Sequence, residues 1–119
     1  MKNNKKVNTT RTYLSVILRE DLRQRANGLT NRLSRSVARL TSCDPQPCME
    51  YDEEVQFQQD LAQQLFYLQH CRNALERCIG SGAATLRYRW PDGTVSRTTF
   101  RKVGQNQVKT VGLKLDADI

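Results

Sequence analysis

The chain has 119 residues, is 38% hydrophobic, and carries a mean hydropathy of −0.68 and a net charge of +7. That is enough for one domain with a modest core, and no apolar run approaches the ~20 residues that span a bilayer, so no membrane partner is expected. The basic start "MKNNKKVNTTRTYLSVIL" has only "YLSVIL" as its apolar run, short of the about 7–15 residues of a secretory signal, which points to a cytoplasmic protein.

The charge is unevenly divided. Residues 1–42 hold ten Lys and Arg against two acids, a balance of +8, whereas residues 43–80 stand at −5 and residues 81–119 at +4. This order predicts that the acidic middle neutralises part of one basic neighbour inside the fold and leaves the rest for a partner.

Residues 1–10, basic and Asn-rich, read as a flexible tail. From Thr12 to Leu40 the apolar residues fall at Leu14, Leu18, Leu22, Ala26, Leu29, Leu33, Val37 and Leu40. Steps of three and four make one helical stripe and predict a helix over 11–42. Gly28 costs about 1 kcal/mol relative to Ala inside it and is a candidate kink. A second helix is predicted over 50–79, with Val55, Leu61, Leu65, Leu68, Leu75 and Ile79 on one face and a stop at Gly80-Ser81-Gly82.

The linker "SCDPQPCME" has two prolines that neither helix can cross. An antiparallel hairpin about Pro45–Gln46 pairs positions whose numbers add to about 91 or 92. Arg39 then faces Asp52 or Glu53, and Arg32 faces Asp60, each exposed pair contributing less than ~1 kcal/mol. Either the following β segment or a second copy of the chain covers the stripe. Surplus apolar surface at Phe57, Phe66 and Tyr67 favours the homodimer, or a partner protein docked on the helices.

The stretch "TLRYRWPDGTVSRTTFRK" contains a strong turn signal in "WPDGT". If Trp90 pairs with Thr94, one strand face holds Leu86, Tyr88, Trp90, Thr94, Ser96, Thr98 and Phe100, and the other holds Arg87, Arg89, Val95, Arg97 and Arg101. The first face is expected to pack on the helices and the second to point outward. A third run, "QVKTVGLKL", completes a three-stranded meander over 84–116. Val111, Leu113 and Leu115 are expected on one face of it, with Lys114 joining the basic face.

Cys43, Cys48, Cys71 and Cys78 do not make a convincing zinc or disulfide pattern. The first two are C-x4-C in the turn, and the last two lie about 10 Å apart along a helix. Free thiols are expected, with no metal site. His70 points away from its neighbour Cys71, which argues against a nucleophile–base pair. Glu50, Asp52, Glu53 and Glu54 open a helix, where negative charge suits the dipole. No catalytic set, cofactor site or small-molecule substrate site is identified.

The fold class expected is α+β: a long antiparallel helical hairpin followed by a small three-stranded antiparallel meander, as a single domain over 1–119. The function expected is non-enzymatic nucleic-acid binding. Its phosphate contacts are expected from Arg87, Arg89, Arg97, Arg101 and Lys114, with the basic N-terminal region, Arg11, Arg19, Arg23 and Arg25 adding to the footprint. Small size and basic character suit an accessory protein of a virus or mobile element. The rival readings are an assembly, adaptor or inhibitor protein working through coiled-coil and charged protein contacts, and arginines that merely guard the sheet against edge pairing.

Overall fold

The computed structural model describes residues 9–42 and 49–115. In chain order the elements are β1 (Thr10–Leu14), α1 (Ser15–Ser42), α2 (Met49–Ser81), β2 (Ala83–Arg89), β3 (Val95–Gly104) and β4 (Gln107–Val111). The fold is α+β: the two helices form a hairpin, and the strands form one antiparallel sheet in the order β1-β4-β3-β2.

The helical stripe buries over most of its length, but at its end Ser36 is buried and Val37 is exposed. Leu18, Leu22 and Leu29 of α1 meet Leu61, Leu68, Cys71, Ala74, Leu75 and Cys78 of α2 in one core. The hairpin register is marked by polar contacts whose residue numbers add to 90–95. Ser36 and Arg39 both bind the Glu54 carboxylate, and Arg19 binds Glu76. Arg32 forms no ion pair with Asp60, whose carboxylate accepts instead from Gln56 of its own helix at 3.0 Å. The helix α1 runs through Gly28 without interruption.

The first helix starts later than its periodicity suggests. Thr10–Leu14 is a strand, and Leu14 is half exposed instead of heading the core stripe. The sequence TRTYL is β-branched and aromatic, and β1 satisfies the free edge of β4, with Thr10 opposite Val111 and Tyr13 opposite Val108. Ser15 then donates its N–H to the Asn106 carbonyl at 2.8 Å, holding the strand-to-helix junction against the β3–β4 turn. The meander thus gains a fourth strand from the opposite end of the chain. Residues 1–8 of the expected tail and the linker cysteines Cys43 and Cys48 lie outside the described residues.

The β2–β3 hairpin has the register read from its turn. Arg87 lies opposite Arg97 and Leu86 opposite Thr98, while Trp90 N–H bonds the Thr94 carbonyl at 2.8 Å. Asp92 holds the turn by accepting from the Thr94 N–H and hydroxyl, contacts that lower its carboxyl below the usual range. Leu86, Tyr88, Thr98 and Phe100 are buried against the helices, with Trp90 partly so. Tyr67, Tyr88 and Trp90 pack with ring centroids 4.7–5.7 Å apart, a spacing at which edge-to-face contacts are favourable.

The last strand runs in the opposite phase to that expected. Val108 and Thr110 face the core, and Val111 lies on the outer face. Gly112, at φ +80°, then turns the chain so that Leu113 and Leu115 reach the core edge. Tyr67 is buried at 2% exposure and is not surplus surface. The Thr98 hydroxyl donates to the Gly112 carbonyl at 3.1 Å, so Tyr67 donates to Thr98 and accepts the Lys114 N–H at 3.0 Å. One phenol therefore ties α2 to β3 and to the segment after β4.

Two substitutions measure this packing by urea unfolding. Tyr67→Phe strands the Lys114 N–H and one Thr98 contact and is expected to destabilise the protein by about 1–2 kcal/mol with an unchanged m-value. Gly112→Ala places a Cβ 2.5 Å from the Arg97 carbonyl oxygen at positive φ, and is expected to cost about 2–3 kcal/mol or more.

Candidate nucleic-acid interface

Among the described residues, one side of the sheet has no covering layer. The outward positions are Thr85, Arg87 and Arg89 of β2, Val95, Arg97, Thr99 and Arg101 of β3, Gln107, Lys109 and Val111 of β4, and Thr10, Thr12 and Leu14 of β1. Five of these are cationic and none is acidic. Arg87 lies directly opposite Arg97, and Arg101 directly opposite Lys109. These two rows are four residues apart along β3, about 13 Å at strand rise, with Thr85 and Thr99 paired between them.

None of these four arginines forms an ion pair among the described residues, where salt bridges involve only Arg19, Arg23, Arg25 and Arg39. Lys109 belongs to the array and was not identified from sequence. Its presence follows from the true phase of β4, which the pairing of Val108 with Tyr13 on the core side would have indicated. Lys114, by contrast, is not on this face. It follows Gly112, and its amine stands 5.6 Å from the centre of the Trp90 ring on the helix-facing side.

Arg19, Arg23 and Arg25 of α1 are likewise not part of the array, and each already has a carboxylate. Arg19 forks onto Glu76 with contacts of 2.7 and 3.1 Å, which raises the arginine's pKa and lowers that of Glu76. Arg23 pairs with Glu20 one turn earlier, and Arg25 with Asp21 at 3.1 Å. Arg25 also donates to the Leu115 carbonyl at 2.6 Å. These pairs are exposed and screened by solvent, so each contributes little to stability. Their consequence is electrostatic: the charge of α1 is largely balanced within the fold, and that of the sheet is not.

The remaining chemistry-bearing side chains do not gather around this face. Cys71 and Cys78 are free and buried, and burial pushes the Cys71 thiol up to about 12 and that of Cys78 upward too. A thiol held protonated in this way is a poor nucleophile. His70 lies exposed with its ring 5.6 Å from that of Tyr88. Among the described residues no cluster of His, Cys, Asp and Glu is arranged to hold a metal ion. No helix among them is long and apolar enough to cross a membrane. Comparison with known proteins finds no matching family, no similar curated protein and no similar solved structure.

The buried thiols and phenols give stability a defined alkaline limb. An unfolded thiol deprotonates near 8.5, whereas Cys71 stays protonated to about 12, and burial raises Tyr67 and Tyr88 in the same direction. The folded state therefore holds more protons than the unfolded state in this window, and stability falls as pH rises above about 8.5. The Cys71 share has a slope of up to about 1.4 kcal/mol per pH unit. Denaturation midpoints between pH 8 and 11 should trace this decline, and Cys71→Ala should flatten it.

Proposed function

We propose that this chain binds nucleic acid through the open face of its sheet and carries out no chemistry of its own. The observation that carries the reading is the opposition of Arg87 to Arg97 and of Arg101 to Lys109 on a face whose described strand positions include no carboxylate. Like charges directly across an antiparallel pair destabilise it by several tenths of a kcal/mol. A face needed only for solubility is served better by mixed signs, which would avoid that cost. A polyanion removes the repulsion, and the planar guanidinium suits phosphate oxygens in a fork.

Threonines 85 and 99 between the cationic rows offer hydroxyls to phosphate or sugar oxygens. No aromatic side chain lies among the outward strand positions, so stacking of bases on this face is not expected. Recognition there rests on backbone charge and is indifferent to sequence. Free buried thiols fit a reducing, cytoplasmic setting.

A second reading, self-association or docking on a partner protein, is supported by a different observation. Leu14, Val16 and Ile17 at the β1–α1 junction are 50–59% exposed. The aromatic residues behind the expected coiled-coil contact support it less. Phe57 and Phe66 are nine residues apart, about 180° around the helix, so they do not form one stripe.

Affinity for a single-stranded oligonucleotide should fall with salt at a log–log slope of about −3.5, as five phosphate contacts require. Replacing Arg87, Arg89, Arg97 and Arg101 with Glu should abolish binding. The single change Arg97→Glu separates binding from folding: it creates an ion pair with Arg87, so stability should rise by about 0.5 kcal/mol while affinity drops. Unchanged affinity in Arg97→Glu would overturn the reading. Ile17→Glu, followed by mass measurement in solution, addresses self-association without touching the arginine face.

A further inference from the structure

On the other side of the sheet, α1, α2 and the tip of the β2–β3 hairpin enclose a cleft of about 670 Å³, a size typical of small-molecule sites. Its wall combines Leu29, Leu68 and Leu115 with the Trp90 ring. Gln64 also lines it, and the side-chain oxygen of Gln64 is buried without any hydrogen-bond donor, an arrangement that native structures normally avoid. The charges at the mouth are balanced. Arg32 and Lys114 are matched in number by Asp60 and Asp92, and Arg25 is held by Asp21.

Gly28 also lines the cleft. It sits in the interior of α1, where glycine weakens a helix. Its backbone does not require glycine, since it is not among the positive-φ residues, and nothing lies within 4 Å of where its Cβ would be. The structural effect of glycine there is the open volume in front of it.

We propose that this cleft binds a planar nitrogen heterocycle, the chemistry of a nucleobase. The apolar and indole walls accept its faces, Gln64, whose amide oxygen alone is shut off from solvent, donates its amide N–H to a ring nitrogen, and the balanced mouth favours a neutral ring over an ion. The base belongs either to a free nucleotide or to a strand. The site does not depend on the phosphate contacts of the opposite face.

Trp90 is the only tryptophan of the chain and lines the cleft, so its fluorescence is the signal for binding there, and the Gly28 variants separate that signal from binding at the neighbouring Arg89. The intact protein is titrated with adenosine 5′-monophosphate and, separately, with a short oligo(dA). A saturable change in Trp90 emission is expected, retained in Gly28→Ala and weakened at least about tenfold in Gly28→Leu, while both variants melt no lower than the parent. A response to the mononucleotide identifies a free base as sufficient. A response confined to the oligonucleotide, and equally lost in Gly28→Leu, identifies a base presented by a strand. Absence of a saturable response to either probe, or a response that Gly28→Leu leaves intact, overturns the proposal. The Arg87→Glu/Arg97→Glu double variant keeps the mononucleotide response, which separates this test from that of the sheet face.

Discussion

The hydroxyl of Tyr67 is where the helical hairpin and the sheet are fastened together. It donates to Thr98 in the middle of β3 and accepts from the backbone of Lys114, while the Thr98 hydroxyl donates a hydrogen bond to the Gly112 carbonyl. Buried polar groups are costly unless each finds a partner, and a chain of satisfied ones admits few alternative arrangements. This chain of bonds reaches from α2 through β3 to the segment after β4. It therefore fixes which face of the sheet meets the helices, and strand alternation does the rest. Once Thr98 and Phe100 point inward, Arg97 and Arg101 have to point outward.

That constraint divides the charges of the protein into two populations. Four of the six arginines of α1, Arg19, Arg23, Arg25 and Arg39, stand next to Glu76, Glu20, Asp21 and Glu54, all supplied by the helical hairpin itself. The sheet cations stand next to each other. The acidic middle of the chain thus supplies Glu54 and Glu76 to the helix that precedes it, and forms no ion pair with the strands that follow among the described residues. The basic–acidic–basic order of the sequence becomes one balanced layer and one cationic surface.

Much of this was legible in the residues. The hairpin register followed from "WPDGT", because the proline, aspartate and glycine of that turn admit few geometries, and the separation of rings from arginines followed from the register. The helical stripe and the acidic complement were legible for the same reason: both are local periodicities. The errors were non-local. Leu14 fits the four-residue step to Leu18, so nothing near it distinguishes a strand from a helix, and its partner strand lies nearly a hundred residues away. Lys114 was assigned to the arginine face by extending the alternation of β4 across Gly112, where the left-handed turn ends it. Tyr67 looked like excess apolar surface because its partner, Thr98, belongs to the sheet. The cleft was invisible because its walls come from four separate parts of the chain.

The pairing of β1 with β4 has a consequence for how the molecule comes into being. Thr10 meets Val111 and Leu14 meets Gln107, so the sheet closes only when residues from the two ends of the described chain find each other. Contacts of such long sequence separation are slow to form, because the loop between them must be ordered first. On the ribosome both helices and the β2–β3 hairpin emerge before β4 does. Until then β1 has no strand to join, and the nascent helical hairpin waits with its apolar stripe only partly covered.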